Sequence, residues 1–177
     1  MISIKDTSVF QKLIGKKIKL FKSSSLHISE GEFSSLEMNL VVEYDRKSLI
    51  FNCDYKKGFF ENENGDVFYD FNIDEDLRNN NFEKSVIYFK TTEITEIIVY
   101  GRQFNSIEFI KHKTLYNRIK NENKTDDLFL FKFDDMNEVI ITFHPFLPSV
   151  VVVFSKRQID QFWREYNNLY TQHYQIN

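Results

Sequence analysis

The clearest pattern of hydrophobic and polar positions lies near the C-terminal end of the chain. Residues 150–154 are an unbroken β-branched and aromatic run, which predicts a central strand covered on both faces. Ser155 and Gln158 then form a capping-box pattern, which predicts the start of a helix. Apolar residues follow at helical spacing, so we expect a long amphipathic helix of about 20 residues. Its apolar stripe consists of Ile159, Phe162, Trp163, Tyr166, Leu169, Tyr170 and Tyr174.

Shorter patterns predict strands in the rest of the chain. Residues 16–21 alternate lysines with apolar residues, which indicates a half-buried strand, and a short helix ending at Gly15 precedes it. Apolar runs on either side of turn-forming residues predict three hairpins: 38–44 with 48–53, 58–60 with 67–71, and 128–133 with 139–143. Further strand-like segments are 85–89, 94–100 and 106–110, whereas the Ser-rich residues 23–35 predict a loop or a poorly ordered edge.

The two halves of the chain also resemble each other weakly. Residues 40–45 align with 129–134, and 49–51 align with 139–141 after one inserted residue. We therefore predict a single α+β domain with a largely antiparallel sheet or sandwich, a long C-terminal helix on one face and a short N-terminal helix. Two related three-stranded units, in halves 1–73 and 84–177, are one alternative and chance similarity is the other. A polar, acidic and Asn-rich connector at 73–83 would join the halves.

Composition narrows the class of protein. Cys53 is the only cysteine, so a disulfide framework is excluded and a buried thiol is expected. No apolar run approaches the length of a secretory signal or a membrane span, so we expect a cytoplasmic protein without membrane contact. The net charge of −3 provides no general attraction for nucleic acid.

The charges are distributed unevenly along the chain. Residues 1–22 contain six lysines and one acidic residue, whereas residues 61–76 contain seven acidic residues and no basic one. Two explanations follow from this asymmetry. The two segments neutralise one another across the fold, or the acidic segment covers a basic surface of a partner.

Motifs for catalysis, metals and cofactors are missing from the sequence. Residues 70–76 begin like a calcium loop, but Glu75 stands where that loop needs glycine and Asn81 where it needs a bidentate glutamate. The five glycines form neither a dinucleotide fingerprint nor a P-loop, and we expect no cofactor. The four histidines lack the spacing of a zinc site: His27, His112, His144 and His173.

These observations favour a non-enzymatic protein-binding module that occludes its partner. In size and composition, though not in any motif, the chain resembles the immunity proteins and phage inhibitors of bacteria and their phages. One alternative is a metal-dependent hydrolase whose acidic residues converge only in the fold. Another is single-stranded nucleic-acid binding, because lysines interleave with aromatic residues at 16–22 and 131–133. The candidate partner-binding residues are Glu61, Glu63, Asp66, Asp70, Asp74 and Asp76, with Phe146 and Leu147 from a proline-flanked loop.

Overall fold

The structure, a computed structural model, describes residues 7–23, 27–29, 32–35, 39–45, 47–54, 60–61, 67–68, 70–76, 85–88, 93–102, 126–143 and 150–177. Within these ranges helix α1 spans Ser8–Gln11, helix α2 spans Lys156–Tyr166, and a 3-10 turn covers Asn167–Leu169. The strands are β1 Ile18–Ser23, β2 His27–Ser29, β3 Glu32–Ser35, β4 Asn39–Tyr44, β5 Lys47–Asp54, β6 Phe60–Glu61, β7 Val67–Phe68, β8 Asp70–Asp76, β9 Ser85–Tyr88, β10 Ile94–Arg102, β11 Asp126–Phe133, β12 Glu138–Phe143, β13 Val150–Val153 and β14 Tyr170–Ile176.

Most of these strands belong to two antiparallel sheets. The five-stranded sheet has the order β8-β5-β4-β1-β9, and the seven-stranded sheet has the order β14-β10-β11-β12-β13-β3-β2. Strands β6 and β7 form a separate pair. The predicted class, an α+β fold with largely antiparallel sheet, is therefore confirmed at this level. The run of valines in β13 lies between β12 and β3, which is the interior position that its composition predicts.

The two sheets pack face to face through a core rich in phenylalanine. Phe51 of β5 has its ring centroid 5.6 Å from that of Phe129 in β11 and 6.0 Å from that of Phe143 in β12. Phe10 of α1 stacks on Phe129 at 5.2 Å. Burying each such side chain contributes about 1.5–3 kcal/mol, so these contacts are the main attraction between the sheets and α1.

Helix α2 covers the outer face of the seven-stranded sheet. Ser155 caps the helix as predicted, because its Oγ accepts a hydrogen bond of 3.2 Å from the backbone nitrogen of Gln158. Ile159 is buried, and the ring of Trp163 packs against that of Tyr100 in β10 at 5.1 Å. The arrangement is thus sheet, sheet and helix, with one apolar layer on each side of the seven-stranded sheet.

The prediction of a long C-terminal helix is wrong. Helix α2 ends at Tyr166, and after the 3-10 turn the chain forms β14, which pairs with β10. Tyr170 and Tyr174 are four residues apart, which is the spacing of one helix face. In β14 they lie on opposite faces of the sheet, because the pairing with β10 shifts register between them: Tyr170 packs in the layer under α2 and Tyr174 in the core between the sheets. Asn167 and Asn168 are weak helix formers, and the tyrosines and Thr171 favour a strand, so the β-pairing prevails.

Two segments predicted as irregular contain strands. Strand β8 continues to Asp76, so the chain does not leave the sheet at residue 73, and its pairing with β5 covers seven residues. The Ser-rich segment contributes β2 and β3, which extend the seven-stranded sheet beyond β13. The predicted strand at 106–110 lies outside the described residues.

The two sheets share a pattern of pairing. In each, a lone strand is followed by a hairpin: β1 by β4 and β5, and β10 by β11 and β12. A fourth strand pairs with the second strand of the hairpin: β8 with β5 in one sheet, and β13 with β12 in the other. A fifth strand pairs with the other side of the lone strand: β9 with β1, and β14 with β10. The division of the chain into halves 1–73 and 84–177 stays a prediction.

Candidate functional site

The acidic segment predicted as a binding surface includes an edge strand. Among the described strands, β8 has β5 as its one neighbour and closes the five-stranded sheet on that side. Asp70, Asp74 and Asp76 stand an even number of residues apart along β8. Asp74 is exposed. The Nδ2 atom of Asn52 donates a long hydrogen bond of 3.5 Å to Oδ2 of Asp74. The strand thus exposes the carboxylate of Asp74 on one of its faces.

The backbone of residues 70–76 is an extended strand, in which alternate positions are about 6.8 Å apart, whereas the ligands of a calcium loop converge from a tightly curved loop. This geometry argues against reading residues 70–76 as a calcium loop. Within the described ranges, no three histidine, cysteine, aspartate or glutamate side chains are grouped so that they could hold a metal ion.

The other face of β8 is neutralised from within the chain. Oε2 of Glu75 accepts a hydrogen bond of 2.9 Å from Nζ of Lys12, while Oε1 accepts bonds from the Tyr44 hydroxyl at 2.9 Å and from Nζ of Lys47 at 3.3 Å. The hydrogen bonds from Lys12 and Tyr44 are the main causes that lower the pKa of Glu75 to about 2. Burial, and then the hydrogen bond to Glu75, raise the pKa of Tyr44 well above its ordinary value. Lys12 of the basic N-terminal segment therefore pairs with Glu75 of the acidic segment.

The structure describes only some of the remaining candidate residues. Glu61 lies in β6, where its backbone pairs with Val67 of β7. Glu63, Asp66, Phe146 and Leu147 lie outside the described residues. Ile73, between Asn72 and Asp74 in β8, packs against the core between the sheets.

One polar arrangement was not predicted from the sequence. Nδ1 of His173 in β14 lies 2.8 Å from Oδ1 of Asp126 in β11, whose side chain is completely buried. The imidazole lies over Gly101 of β10, where an added Cβ atom would stand 1.9 Å from Cε1 of the ring. Asp126 and His173 are 47 residues apart, so no local motif announces the pair. The one available signal was a glycine at the end of a strand pattern, which often marks a close approach by another group.

Polar contacts continue beside this pair. Oγ1 of Thr142 in β12 donates a hydrogen bond of 3.0 Å to the backbone carbonyl of Asp127, which is the residue after Asp126. The same Oγ1 lies 3.3 Å from the hydroxyl of Tyr170 in β14. Strands β14, β11 and β12 are therefore connected through side chains at this end of the seven-stranded sheet.

Comparison of the chain with protein families, with curated proteins and with solved structures found no match. Neither of the described helices combines the length and the apolar character that crossing a membrane requires.

Proposed function

We propose that this protein is a non-enzymatic binding module that occludes a basic surface of a partner protein, and that β8 is the strand that meets the partner. The observation that carries the proposal is that Asp74, in the acidic segment, is exposed on β8, which is an edge strand among the described strands. Glu75, on the other face of β8, is bound by Lys12 and Lys47 of this chain. A regular strand fixes the position of an exposed carboxylate, which favours recognition of a basic surface over nonspecific attraction.

Partner capture with matched baits tests this proposal. The wild-type chain and the variants Asp74→Lys and Asp160→Lys serve as baits for a lysate of the source cells. Asp160 is an exposed acidic residue of α2, so its reversal changes the net charge equally at a distant place. The proposal expects a stoichiometric protein that the wild type and Asp160→Lys retain and Asp74→Lys loses. Equal retention by all three baits would contradict it, as would an eluate that contains nucleic acid alone.

The contact between His173 and Asp126 favours a second candidate function. An imidazole whose Nδ1 is hydrogen-bonded to a buried carboxylate is arranged as a general base, and the carboxylate is arranged as the group that orients it. This observation supports a hydrolase, though not the metal dependence that the sequence suggested. A panel of ester, peptide and phosphoester substrates tests this function, with the variant His173→Gln as the control. Turnover by the wild type that the variant lacks would support the function. If the wild type turns over none of them, the function is excluded for those substrates.

We also infer that the two sheets are built from related units. Their shared pairing order supports this inference, and a shared irregularity supports it further. The pairing of β1 with β4 shifts register between Ile18 and Leu20, and that of β10 with β11 shifts between Ile94 and Glu96. In both, the first residue of the lone strand pairs with an aromatic residue near the end of its hairpin strand: Ile18 with Tyr44 and Ile94 with Phe133. The residues immediately before these strands pair with each other through an isolated antiparallel β-bridge of the backbone: Lys17 and Glu93.

A further inference from the structure

Resting on the proposed function, we propose that Met136 is a second point of contact with the partner: its side chain enters an apolar pocket of the partner protein, and basic residues of the partner line the rim of that pocket. Met136 lies in the turn that joins β11 to β12. The inference adds an apolar contact to the one made by β8 and states which kind of surface the partner presents.

The backbone of Met136 adopts a conformation that most residues avoid. The nitrogen of Phe133 donates a hydrogen bond of 3.0 Å to the carbonyl of Asn137, so the turn consists of the three residues between them. The last residue of such a turn is left-handed, and glycine is usual there. Met136 occupies this position with a φ of 65°. Because methionine has a Cβ atom, the conformation is unfavourable for it and lowers the stability of the fold.

The side chain of Met136 does not offset that loss within this chain. It is 91% exposed, and an apolar side chain stabilises a fold only through the surface that it buries. Glycine or asparagine would fit the backbone better and would expose no large apolar group. Unfavourable backbone geometry that presents an apolar side chain to solvent favours a role in contact with another molecule.

Hydrogen bonds fix the turn from which Met136 projects. The carboxylate of Asp135 accepts bonds from the backbone nitrogen and from Nδ2 of Asn137, at 3.0 Å and 2.7 Å. Oδ1 of Asp134 accepts a bond of 3.1 Å from the backbone nitrogen of Glu93. A side chain on a fixed turn is preorganised, so less conformational freedom is lost when a partner binds it.

The residues around Met136 indicate the chemistry of the pocket. Lys132 is the nearest basic residue along the chain, and its Nζ lies 2.7 Å from Oε2 of Glu96. Carboxylates flank Met136 more closely, and lysine or arginine at the rim of an apolar pocket would complement them. Within two positions of Met136 the sequence has three acidic residues and no basic one: Asp134, Asp135 and Glu138.

The pairing of the backbone places Met136 at the same end of the two sheets as the C-terminal end of β8. The nitrogen of Asp134 donates a hydrogen bond of 3.0 Å to the carbonyl of Glu93, and Glu93 forms the β-bridge with Lys17, just before β1. Strands β1, β4, β5 and β8 are successive antiparallel neighbours, so β8 ends where β1 begins. A partner that covers this end of the molecule therefore meets both Met136 and β8.

Variants of the full chain test the inference, with the protein that the wild-type bait captures as the probe. Met136→Asn removes the apolar side chain and introduces a residue that adopts the left-handed conformation more readily. Met136→Leu is the matched control, because it keeps an apolar side chain of similar size. Titration calorimetry measures affinity, and urea denaturation measures stability. Hydrogen peroxide converts accessible methionine to its sulfoxide, and mass spectrometry follows this reaction at Met136 with and without the partner.

We expect Met136→Asn to bind the partner about tenfold more weakly or worse, although its urea midpoint is at least that of the wild type. Met136→Leu should bind as the wild type does, and the partner should slow the oxidation of Met136. A residue with a merely structural role would not combine lost affinity with retained stability. Equal affinity of Met136→Asn and the wild type would overturn the inference, as would oxidation of Met136 that the partner leaves unchanged.

Failure of the proposed function gives a different result. If the inference alone fails, the Asp74→Lys bait loses the partner and the Met136→Asn bait keeps it. If Met136→Asn loses the partner and Asp74→Lys keeps it, the role given to β8 is wrong and that of Met136 stands. A lysate from which the wild type captures no protein would overturn both.

Discussion

Nδ1 of His173 and Oδ1 of Asp126 are 2.8 Å apart, and their contact spans three strands of the seven-stranded sheet. His173 belongs to β14 and Asp126 to β11, while Gly101 lies in the intervening strand β10 directly beneath the imidazole. The pairing of β10 with β14 shifts register beside His173, from Val99 with Tyr174 to Tyr100 with Gln172. This irregularity and the glycine together place the ring within reach of the buried carboxylate.

Replacing Gly101 with alanine should disrupt that contact. The new Cβ would stand 1.9 Å from Cε1 of His173, so the ring must move and the buried carboxylate of Asp126 loses a hydrogen bond. We expect the free energy of unfolding to fall by about 2–4 kcal/mol, as overpacking and a lost bond to a buried carboxylate predict. Urea denaturation followed by tryptophan fluorescence measures the change.

A double-mutant cycle with His173→Ala is the control for that prediction. The three nearest atoms to the new Cβ all belong to the imidazole, so Gly101→Ala in the His173→Ala background should cost less than half of what it costs in the wild type. An equal cost in both backgrounds would show that the glycine is required by the strand itself, and the role given to His173 would be wrong.

Glu75 should make the stability depend on pH. Its pKa is lowered from 4.5 to about 2 in the folded chain. A carboxyl with a lower pKa in the folded state stabilises that state fully above pH 4.5, and the contribution is lost as the pH falls towards 2. Between about pH 5 and pH 2.5 the wild type should therefore lose more stability than Glu75→Gln, which has no carboxyl to protonate. Urea denaturation at several pH values measures both chains, and parallel curves would contradict the role of Glu75.

The cap of α2 provides a local prediction. Ser155→Ala removes the acceptor for the Gln158 nitrogen and should lower the free energy of unfolding by about 1 kcal/mol. Gln158→Ala keeps the backbone nitrogen and the cap, so it should have a smaller effect. Thermal unfolding of the two variants compares them, and an equal loss of stability would show that the Ser155 cap is not what begins the helix.

Local patterns predicted the parts of the fold that depend on neighbouring residues. The hairpin of β4 and β5, that of β11 and β12, and the cap at Ser155 each follow from a short stretch with its own signal. The strand predicted at 67–71 was expected to pair with 58–60, whereas β8 extends to Asp76 and pairs with β5. The extension was missed because aspartate and asparagine are poor strand formers, and the pairing with β5 is a tertiary effect. Strand β14 was missed because the four-residue spacing of Tyr170 and Tyr174 matches one face of a helix, and the register shift that places them on opposite faces of the sheet has no signal in the sequence.

The candidate site was predictable only in part. The acidic segment is visible as a run of charge, but the sequence does not reveal that Glu75 faces Lys12 and Lys47 while Asp74 faces outward. That division depends on which face of β8 meets the core, and Ile73 decides it by packing between the sheets. The contact of His173 with Asp126 depends on two distant strands that flank β10, and no spacing rule connects them.

The most direct test of the binding proposal is the affinity of the captured partner for the wild type, Asp74→Lys and Asp160→Lys, measured by titration calorimetry at low and at physiological salt. Asp74→Lys removes an exposed negative charge and introduces a positive charge facing the basic surface of the partner. We expect the affinity of this variant to be about tenfold or more below that of the wild type, and the difference to be smaller at higher salt. Asp160→Lys should bind as the wild type does. Equal affinities for all three chains would show that the acidic face of β8 does not meet the partner.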